Sequence, residues 1–589
     1  MTKDPLRSFA RSGRLLVLGG LVLLADCVAS ATPLRLSSDL SSRNISDQVD
    51  VIVQYRQSPT LLQHQRLLQR GATLKLEFQS LNARAYRVSP SALAELEADP
   101  NVLYVSLDRA VHSTAVSSPA PLLDYHSDTT NAPAAWAQGL DGSGIGVAVI
   151  DSGVDDIPDL HGAAFEVAYS QDFVPSPGRF AGDLYGHGSH VAGIIAGNGN
   201  KSIGWNYSYT FKGIAPGVRL INLRVLDQNG EGTDSQVIAA IETAIRLKNI
   251  FNIRVINLSV GRGVFESYKF DPLCRAVEQA WAAGIVVVVA AGNEGRNNSL
   301  GTDGYGTITA PGNDPYVITV GAMNTMGTPD RTDDVPTSYT SRGPTLWDHV
   351  VKPDVVAPGN RTISLYAANE VLARELPGNS VPKYAFTKNS NDGKSDTYFY
   401  LSGTSMAAPM VSGAAALLLE KKPSLTPDQV KARLMKTAFK GLIPAAVTID
   451  PTTGITYNLQ ADIFTVGAGY LDIKAALSNN DLVPAWIGSA MSPTATLDRS
   501  GHVVLVPNGA SLLGTTSAAW SAPSVFGQSV LWGTNVSGQS ILWGTYTLAG
   551  QSILWGTNAD SAASILWGTS VLWGTTSAGQ AISGQGDLF

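Results

Sequence analysis

From Gly144 onward the chain alternates short, nearly continuous apolar runs with longer segments of helical periodicity. No other feature constrains the fold as much. The apolar runs are Ile145–Ile150, Arg219–Val225, Val255–Ser259, Ile285–Ala291 and Val317–Val320. Strands that lack a polar face are buried on both sides, the condition of a parallel sheet covered by helices. Helical patterns lie between and after them, at His187–Ala196, Ser235–Lys248, Pro272–Ala283, Ser405–Glu420 and Pro427–Thr437. The expected fold class is α/β, a doubly wound parallel sheet flanked by helices. Sites in such sheets sit beyond the carboxyl ends of the strands, and Asp151 and Asn293 fall just past two of those ends.

Three short segments carry chemistry. Gly146-Val147-Ala148-Val149-Ile150-Asp151-Ser152-Gly153 is an apolar strand ending on a carboxylate. Gly186-His187-Gly188-Ser189-His190 opens a helix, and Ser402-Gly403-Thr404-Ser405-Met406-Ala407-Ala408-Pro409 opens another. A serine hydroxyl is a weak nucleophile until a base takes its proton, and that base needs a third group to hold its tautomer. Alone, Asp151 reads as a strand-end turn and Ser405 as an N-cap. Together the three read as orienting carboxylate, base and nucleophile, in the order Asp…His…Ser. Ser405 also lies where a helix start favours a developing anion. His187 and His190, three apart on a helix, raise the question of zinc. No metalloprotease Glu stands between them and no third ligand is apparent, so no metal site is expected. An esterase elbow would need a second glycine that Gly403-Thr404-Ser405-Met406-Ala407 lacks.

These motifs resemble those of the subtilisin-like serine proteases, the subtilases. Ile256-Asn257-Leu258-Ser259-Val260-Gly261, Ala290-Ala291-Gly292-Asn293-Glu294-Gly295, Ser341-Arg342-Gly343-Pro344 and Lys352-Pro353-Asp354-Val355-Val356-Ala357-Pro358-Gly359 extend the likeness. Asp271-Pro272-Leu273-Cys274-Arg275-Ala276-Val277 is most similar to the AprX-like bacterial subgroup, and the likeness runs from about Leu140 to Leu477. Ser189 stands where the family more often has Thr. The resemblance implies a serine endopeptidase with His187 as general base, His190 structural, and Asn293 as an oxyanion-hole donor. It implies a substrate pocket walled by Ser259, Val260 and Gly261 on one side and Ala291 and Gly292 on the other. Gly261 and Gly292 would leave room there, and with no charge in either wall a neutral or apolar side chain is expected. Glu231 and Asp234 would edge the cleft further out, favouring basic residues or simply solvated. Ala310-Pro311 is expected to be cis. No cofactor is implied for the reaction. Structural calcium is left open, since Asp155, Asp156 and Asp159 lack a recognisable loop spacing.

The 589 residues exceed one ordinary core and predict several segments. Arg7, Arg11 and Arg14, the apolar run Leu15–Leu24 and Ala29-Ser30-Ala31 read as a signal peptide over 1–31. Ten apolar residues are too few to span a bilayer, and no later run is long enough. The expectation is a secreted protein without stable membrane insertion. With 41 basic and 48 acidic residues and no basic run, a nucleic-acid partner is not expected. Removing the leader removes Cys27, leaving Cys274 within a helical pattern as a small apolar side chain and no disulfide.

Residues 47–112 show strand, helix, strand, helix, strand, with Ser89 or Ser91 as N-cap of the second helix. By position this small α+β unit resembles the family's inhibitory propeptide, which would make the chain a zymogen with its own propeptide as partner beside peptide substrates. Residues 113–130 suit a processing linker, 131–478 the catalytic domain and 479–527 a second linker. In the tail, 528–589, Leu-Trp-Gly-Thr recurs at 531–534, 542–545, 554–557, 566–569 and 572–575. Surface adhesion, a solenoid-like cap and a flexible tail all fit that repeat, and the sequence does not choose among them. A non-catalytic surface protein binding through this tail is the rival functional reading. Leu365–Ser395, with Asn389, Ser390, Asn391, Asp392 and Gly393, is expected to be a mobile insertion beside the cleft.

Overall fold

The structure is a computed structural model and describes residues 35–42, 47–113, 125–161, 167–175, 182–299, 301–388, 393–497, 503–511, 513 and 587. The expected leader, residues 114–124 of the expected linker and the Leu-Trp-Gly-Thr repeats lie outside the described residues.

The apolar runs form an eight-stranded sheet in the spatial order Val335–Pro336, Ile318–Asn324, Val286–Ala290, Ile253–Leu258, Gly146–Asp151, Arg219–Arg224, Val167–Asp172. Val355–Pro358 pairs with Ile318–Asn324, and every pairing is parallel except that of Val335–Pro336. Gly146–Asp151 and Val286–Ala290 are buried along their whole length, as continuous Val/Ile runs require. Helices His187–Ala196 and Thr404–Lys421 pack together, as do Asp234–Phe251 and Pro272–Ala282, and both pairs lie against the sheet. The edge strand Val167–Asp172 gave no sequence signal because it is half exposed and polar.

The N-terminal module is a four-stranded antiparallel sheet in the order Thr73–Phe78, Ala83–Val88, Val49–Tyr55, Val102–Leu107. Its helices are Leu61–Gln69 and Pro90–Ala98; Ser89 caps the second by accepting from Ala92 N at 3.2 Å. Thr73–Phe78 adds a strand the sequence reading lacked, although Leu74, Leu76 and Phe78 alternate with polar residues as a half-buried strand does. Alternation sends the two faces of this sheet into different cores. Val51, Val53, Tyr86 and Val88 join Leu67, Leu93 and Leu96 in the module's own cluster. Ile52, Phe78, Ala83 and Ala85 belong to the large cluster of the α/β domain.

Two expectations are corrected. Leu365–Ser395 is packed, not a loose insertion: Thr362–Leu365, Lys394–Leu401 and Ser380–Pro382 form an antiparallel sheet. Tyr366, Leu372, Val381 and Phe386 are buried in the main core, and Phe386 meets Phe211 and Tyr398 with ring centroids 5.4 Å apart. The apolar residues are dispersed along the segment and converge only in the fold; residues 389–392 lie outside the described residues. Likewise, 479–527 does not begin as a linker. Val483, Ala490, Met491, Ala495 and Leu513 are buried, Thr494–Leu497 pairs with Val503–Val506, and buried Lys431 donates to Ser492 Oγ at 2.8 Å.

Beyond 514–586, Asp587 is buried against the α/β domain. Its carboxylate accepts from Arg296 Nη2 at 2.9 Å and Ser338 N at 2.6 Å, and its backbone exchanges bonds with the Asn360 side chain at 2.9 and 3.1 Å.

Candidate active site

The sheet's carboxyl edge gathers the predicted residues because each ends or begins a regular element. Asp151 is the last residue of Gly146–Asp151, His187 the first of its helix, and Ser405 the second of Thr404–Lys421. Asn293 follows the strand Val286–Ala290. Asp151 Oδ1 lies 2.7 Å from His187 Nδ1, both side chains fully buried. Since a carboxylate accepts, Nδ1 carries the proton and Nε2 is the basic nitrogen. His187 Nε2 has no hydrogen-bond partner among the described residues. Ser405 Oγ donates to Ser259 O at 3.0 Å, and Ser259 Oγ donates back to Ser405 O at 3.0 Å.

Asn293 is oriented by a residue the sequence reading did not single out. Thr404 N and Thr404 Oγ1 lie 3.0 and 3.1 Å from Asn293 Oδ1, and a backbone N–H can only donate. The amide oxygen is thereby committed to Thr404, and its NH₂ is turned the other way. The wall glycines also differ from expectation. A Cβ on Gly261 or on Gly292, at φ +104°, would come within 2.8 Å of Thr309 Oγ1. The two glycines thus make room for Thr309, whose hydroxyl donates to Ala291 O at 3.2 Å. Val260 and Ala291 are buried beside it. The Ala310–Pro311 bond is cis, as expected.

Asp183, also missed, holds the start of the histidine helix. It accepts from Gly186 N and Ser189 N at 2.7 Å each and from Ser152 Oγ at 2.9 Å. Burial pushes its carboxyl up to about 6, opposed by those bonds. The N-cap position is Gly186, so no ordinary capping pattern in the sequence marks Asp183. Gly186 has φ +106°, and a Cβ there would strike Glu370 Oε2 at 2.8 Å, so the packed insertion presses on the turn before His187. Burial, with Asp183 nearby, raises the Glu370 carboxyl well above its usual range.

His190 donates from Nε2 to Phe399 O at 3.0 Å, and burial pulls it down to about 3, so it stays neutral. Cys274 is buried with Sγ 3.3 Å from Asn313 Oδ1, and burial pushes its thiol far up. Asp155, Asp156 and Asp159 do not converge: Asp159 takes Tyr398 Oη and Lys201 N, while Asp155 takes Asp183 N. Among the described residues no group of three or more His, Cys, Asp or Glu is placed to hold a metal ion. None of the described helices is long and apolar enough to cross a membrane.

A strand from the N-terminal module sits between two segments of the α/β domain. Ala110–Ser113, leaving the N-terminal module, pairs antiparallel with Glu231–Thr233 on one side and Val260–Gly261 on the other. His112 faces Glu231 and Gly261, and Ser113 faces Val260. Glu231 pairs through its backbone and its side chain is exposed, whereas the Asp234 carboxylate is buried and taken by Arg262 at 2.8 Å, so Asp234 is not free to meet a substrate.

Residues 142–469 match the Subtilase family. The chain is 36% identical over 375 residues to serine protease AprX of Bacillus subtilis (strain 168), covering 62% of this chain and 76% of that one. It is 37% identical over 371 residues to subtilisin E of the same organism, covering 63% and 79%. Among solved structures it is similar to fervidolysin from Fervidobacterium pennivorans, a keratinolytic enzyme related to subtilisin, at a TM-score of 0.53 and 23% identity. That likeness covers 74% of this chain and 61% of the neighbour's length, and it speaks for the fold alone.

Proposed function

The chain belongs to the subtilase family of serine proteases, and from that premise we propose that it is a secreted serine endopeptidase made as a zymogen, with Asp151, His187 and Ser405 as its triad. The observation that carries this reading is the strand Ala110–Ser113, seated between Glu231–Thr233 and Val260–Gly261 as a peptide substrate would be. The N-terminal module is then the inhibitory propeptide, occupying the cleft with its own last strand. No observation favours the non-catalytic reading.

In this mechanism Ser405 Oγ attacks the scissile carbonyl while His187 Nε2 takes its proton. Asp151 accepts from Nδ1 and stabilises the imidazolium without itself becoming protonated. The carbonyl oxygen becomes an oxyanion that receives the Asn293 NH₂ and the Ser405 N–H. His187 then protonates the leaving amine, the peptide bond breaks, and an acyl-enzyme remains. Water, deprotonated by the same nitrogen, releases the acid and restores Ser405. Val260, Gly261, Ala291, Gly292 and Thr309 offer a wall without charge, which favours neutral side chains before the scissile bond. Arg7, Arg11 and Arg14, the apolar run Leu15–Leu24 and the small-residue site Ala29-Ser30-Ala31 support export.

The test is expression of the full chain beside its Ser405→Ala form, followed by intact mass and casein hydrolysis. The active chain should hydrolyse casein and shed its N-terminal segment by cleavage beyond Ser113. Ser405→Ala should do neither. Normal maturation of pure Ser405→Ala protein with no other protease present would sink self-processing, and retained hydrolysis would sink the assignment of the nucleophile.

A further inference from the structure

Arg109 immediately precedes the cleft strand and has its backbone O bonded to Asp234 N at 2.9 Å, so it continues the strand's path along the cleft. Its guanidinium is held on every side. Nη1 and Nη2 donate to the two oxygens of Glu266 at 2.7 and 2.6 Å, the paired geometry that suits a planar guanidinium. The Phe265 ring lies beneath it, 4.8 Å from Cζ to the ring centroid. Nε and Nη2 also donate at 3.0 Å to Asp39. Arg109 and Glu266 are both buried, at 7% and 5% exposure.

These partners divide into two groups. Asp39 belongs to the N-terminal segment and departs with it, whereas Glu266 and Phe265 belong to the α/β domain and remain. The remaining charges are unbalanced. Arg262 is saturated by Asp234 at 2.8 and 3.0 Å and by Asp271 at 2.9 Å from both oxygens. Glu266 is therefore a third carboxylate beside one arginine, and once Arg109 leaves it lacks its bidentate cation. A buried carboxylate over an aromatic face, at the end of a strand-binding cleft, is built for a guanidinium.

We propose that Glu266 and Phe265 form a guanidinium-binding subsite of the cleft, which selects peptide substrates carrying arginine at the place Arg109 holds in the cleft-bound strand. The inference rests on the endopeptidase reading above and extends it to a substrate class.

The probes are two chromogenic peptides in the register of the cleft strand, acetyl-Arg-Ala-Val-His-Ser-Thr-p-nitroanilide and the same peptide with citrulline for arginine. Citrulline keeps the shape and removes the charge. Mature enzyme should cut the arginine peptide with kcat/KM about tenfold or more above the citrulline peptide, the scale of a charged hydrogen-bonded pair. Most of that difference should appear in KM. Glu266→Gln should bring the ratio of the two peptides to about one, and the wild-type ratio stands by itself should that variant not fold. A wild-type ratio near one, with both peptides hydrolysed, overturns the subsite. Failure to hydrolyse either peptide or casein would instead overturn the endopeptidase reading on which it rests.

Discussion

The two sheets of this molecule bury themselves in different ways. In the α/β domain, strands such as Val286–Ala290 are apolar on both faces and packed on both by helices of the same domain. In the N-terminal module the alternating strand Val49–Tyr55 gives Val51, Val53 and Tyr55 to its own small core and Ile52 to the core of its neighbour. Gln54, on that second face, donates to Phe270 O at 2.7 Å, and Ser80 N donates to Glu242 at 2.9 Å. The first sheet is self-sufficient. The second is completed only by docking, which suits the inhibitory, removable module proposed above. Small domains have little stability to spare, so exposing the Ile52, Phe78, Ala83 and Ala85 face should leave the free module marginal.

The largest effect should come from altering the α/β domain's chemistry while leaving both sheets intact. Asp151→Asn preserves size but offers the wrong hydrogen-bonding partner to Nδ1, and kcat should fall about 10⁴-fold, the scale seen for this change in a serine protease. Peptide kinetics and intact mass check it; unchanged kcat would remove Asp151 from the mechanism. A second change should separate the modules energetically. Leu96 is buried in the module's own cluster, and Leu96→Ala should cost about 2–5 kcal/mol there. Calorimetry of Ser405→Ala protein, with the two modules kept joined, should show early unfolding of the N-terminal module and an unshifted transition for the α/β domain. A single transition moving as one would mean that docking makes the two cores one cooperative unit.

Acid should act on the α/β domain through His190. Burial pulls its pKa from 6.5 to about 3, so between those values the unfolded chain binds a proton that the folded chain refuses. Its contribution is complete above pH 6.5 and is lost as pH falls toward 3, at roughly 1 kcal/mol per pH unit. Asp183, raised to about 6, works in the opposite sense and loses stability as pH rises from 3.8 to 6. The difference between wild type and His190→Asn across pH 6.5 to 4.5 isolates the histidine; parallel denaturation curves would refute its role. The smallest effect should follow Asp587→Ala, which leaves Arg296 paired with Asp450 at 3.0 Å. A loss of about 1–3 kcal/mol in the α/β transition is expected, with the N-terminal module unaffected.

Sequence alone determined what local pattern encodes. Continuous Val/Ile runs cannot be satisfied except by burial on both faces, so the parallel sheet was legible, and with it the strand-end placement of Asp151 and Asn293. The helix-opening positions of His187 and Ser405 were legible for the same reason, each being set by a few adjacent residues. The edge strand Val167–Asp172 was not, because its half-exposed, polar second half mimics a loop, whereas Thr73–Phe78 carried a readable alternation of Leu74, Leu76 and Phe78. Only the tertiary structure decided which distant groups meet. Thr404 turns Asn293, Thr309 fills the space between Gly261 and Gly292, Glu370 presses on Gly186, and Glu266 grips Arg109. Hydrogen bonds and contacts across such separations depend on how whole elements pack, and no residue's neighbours in the chain record that.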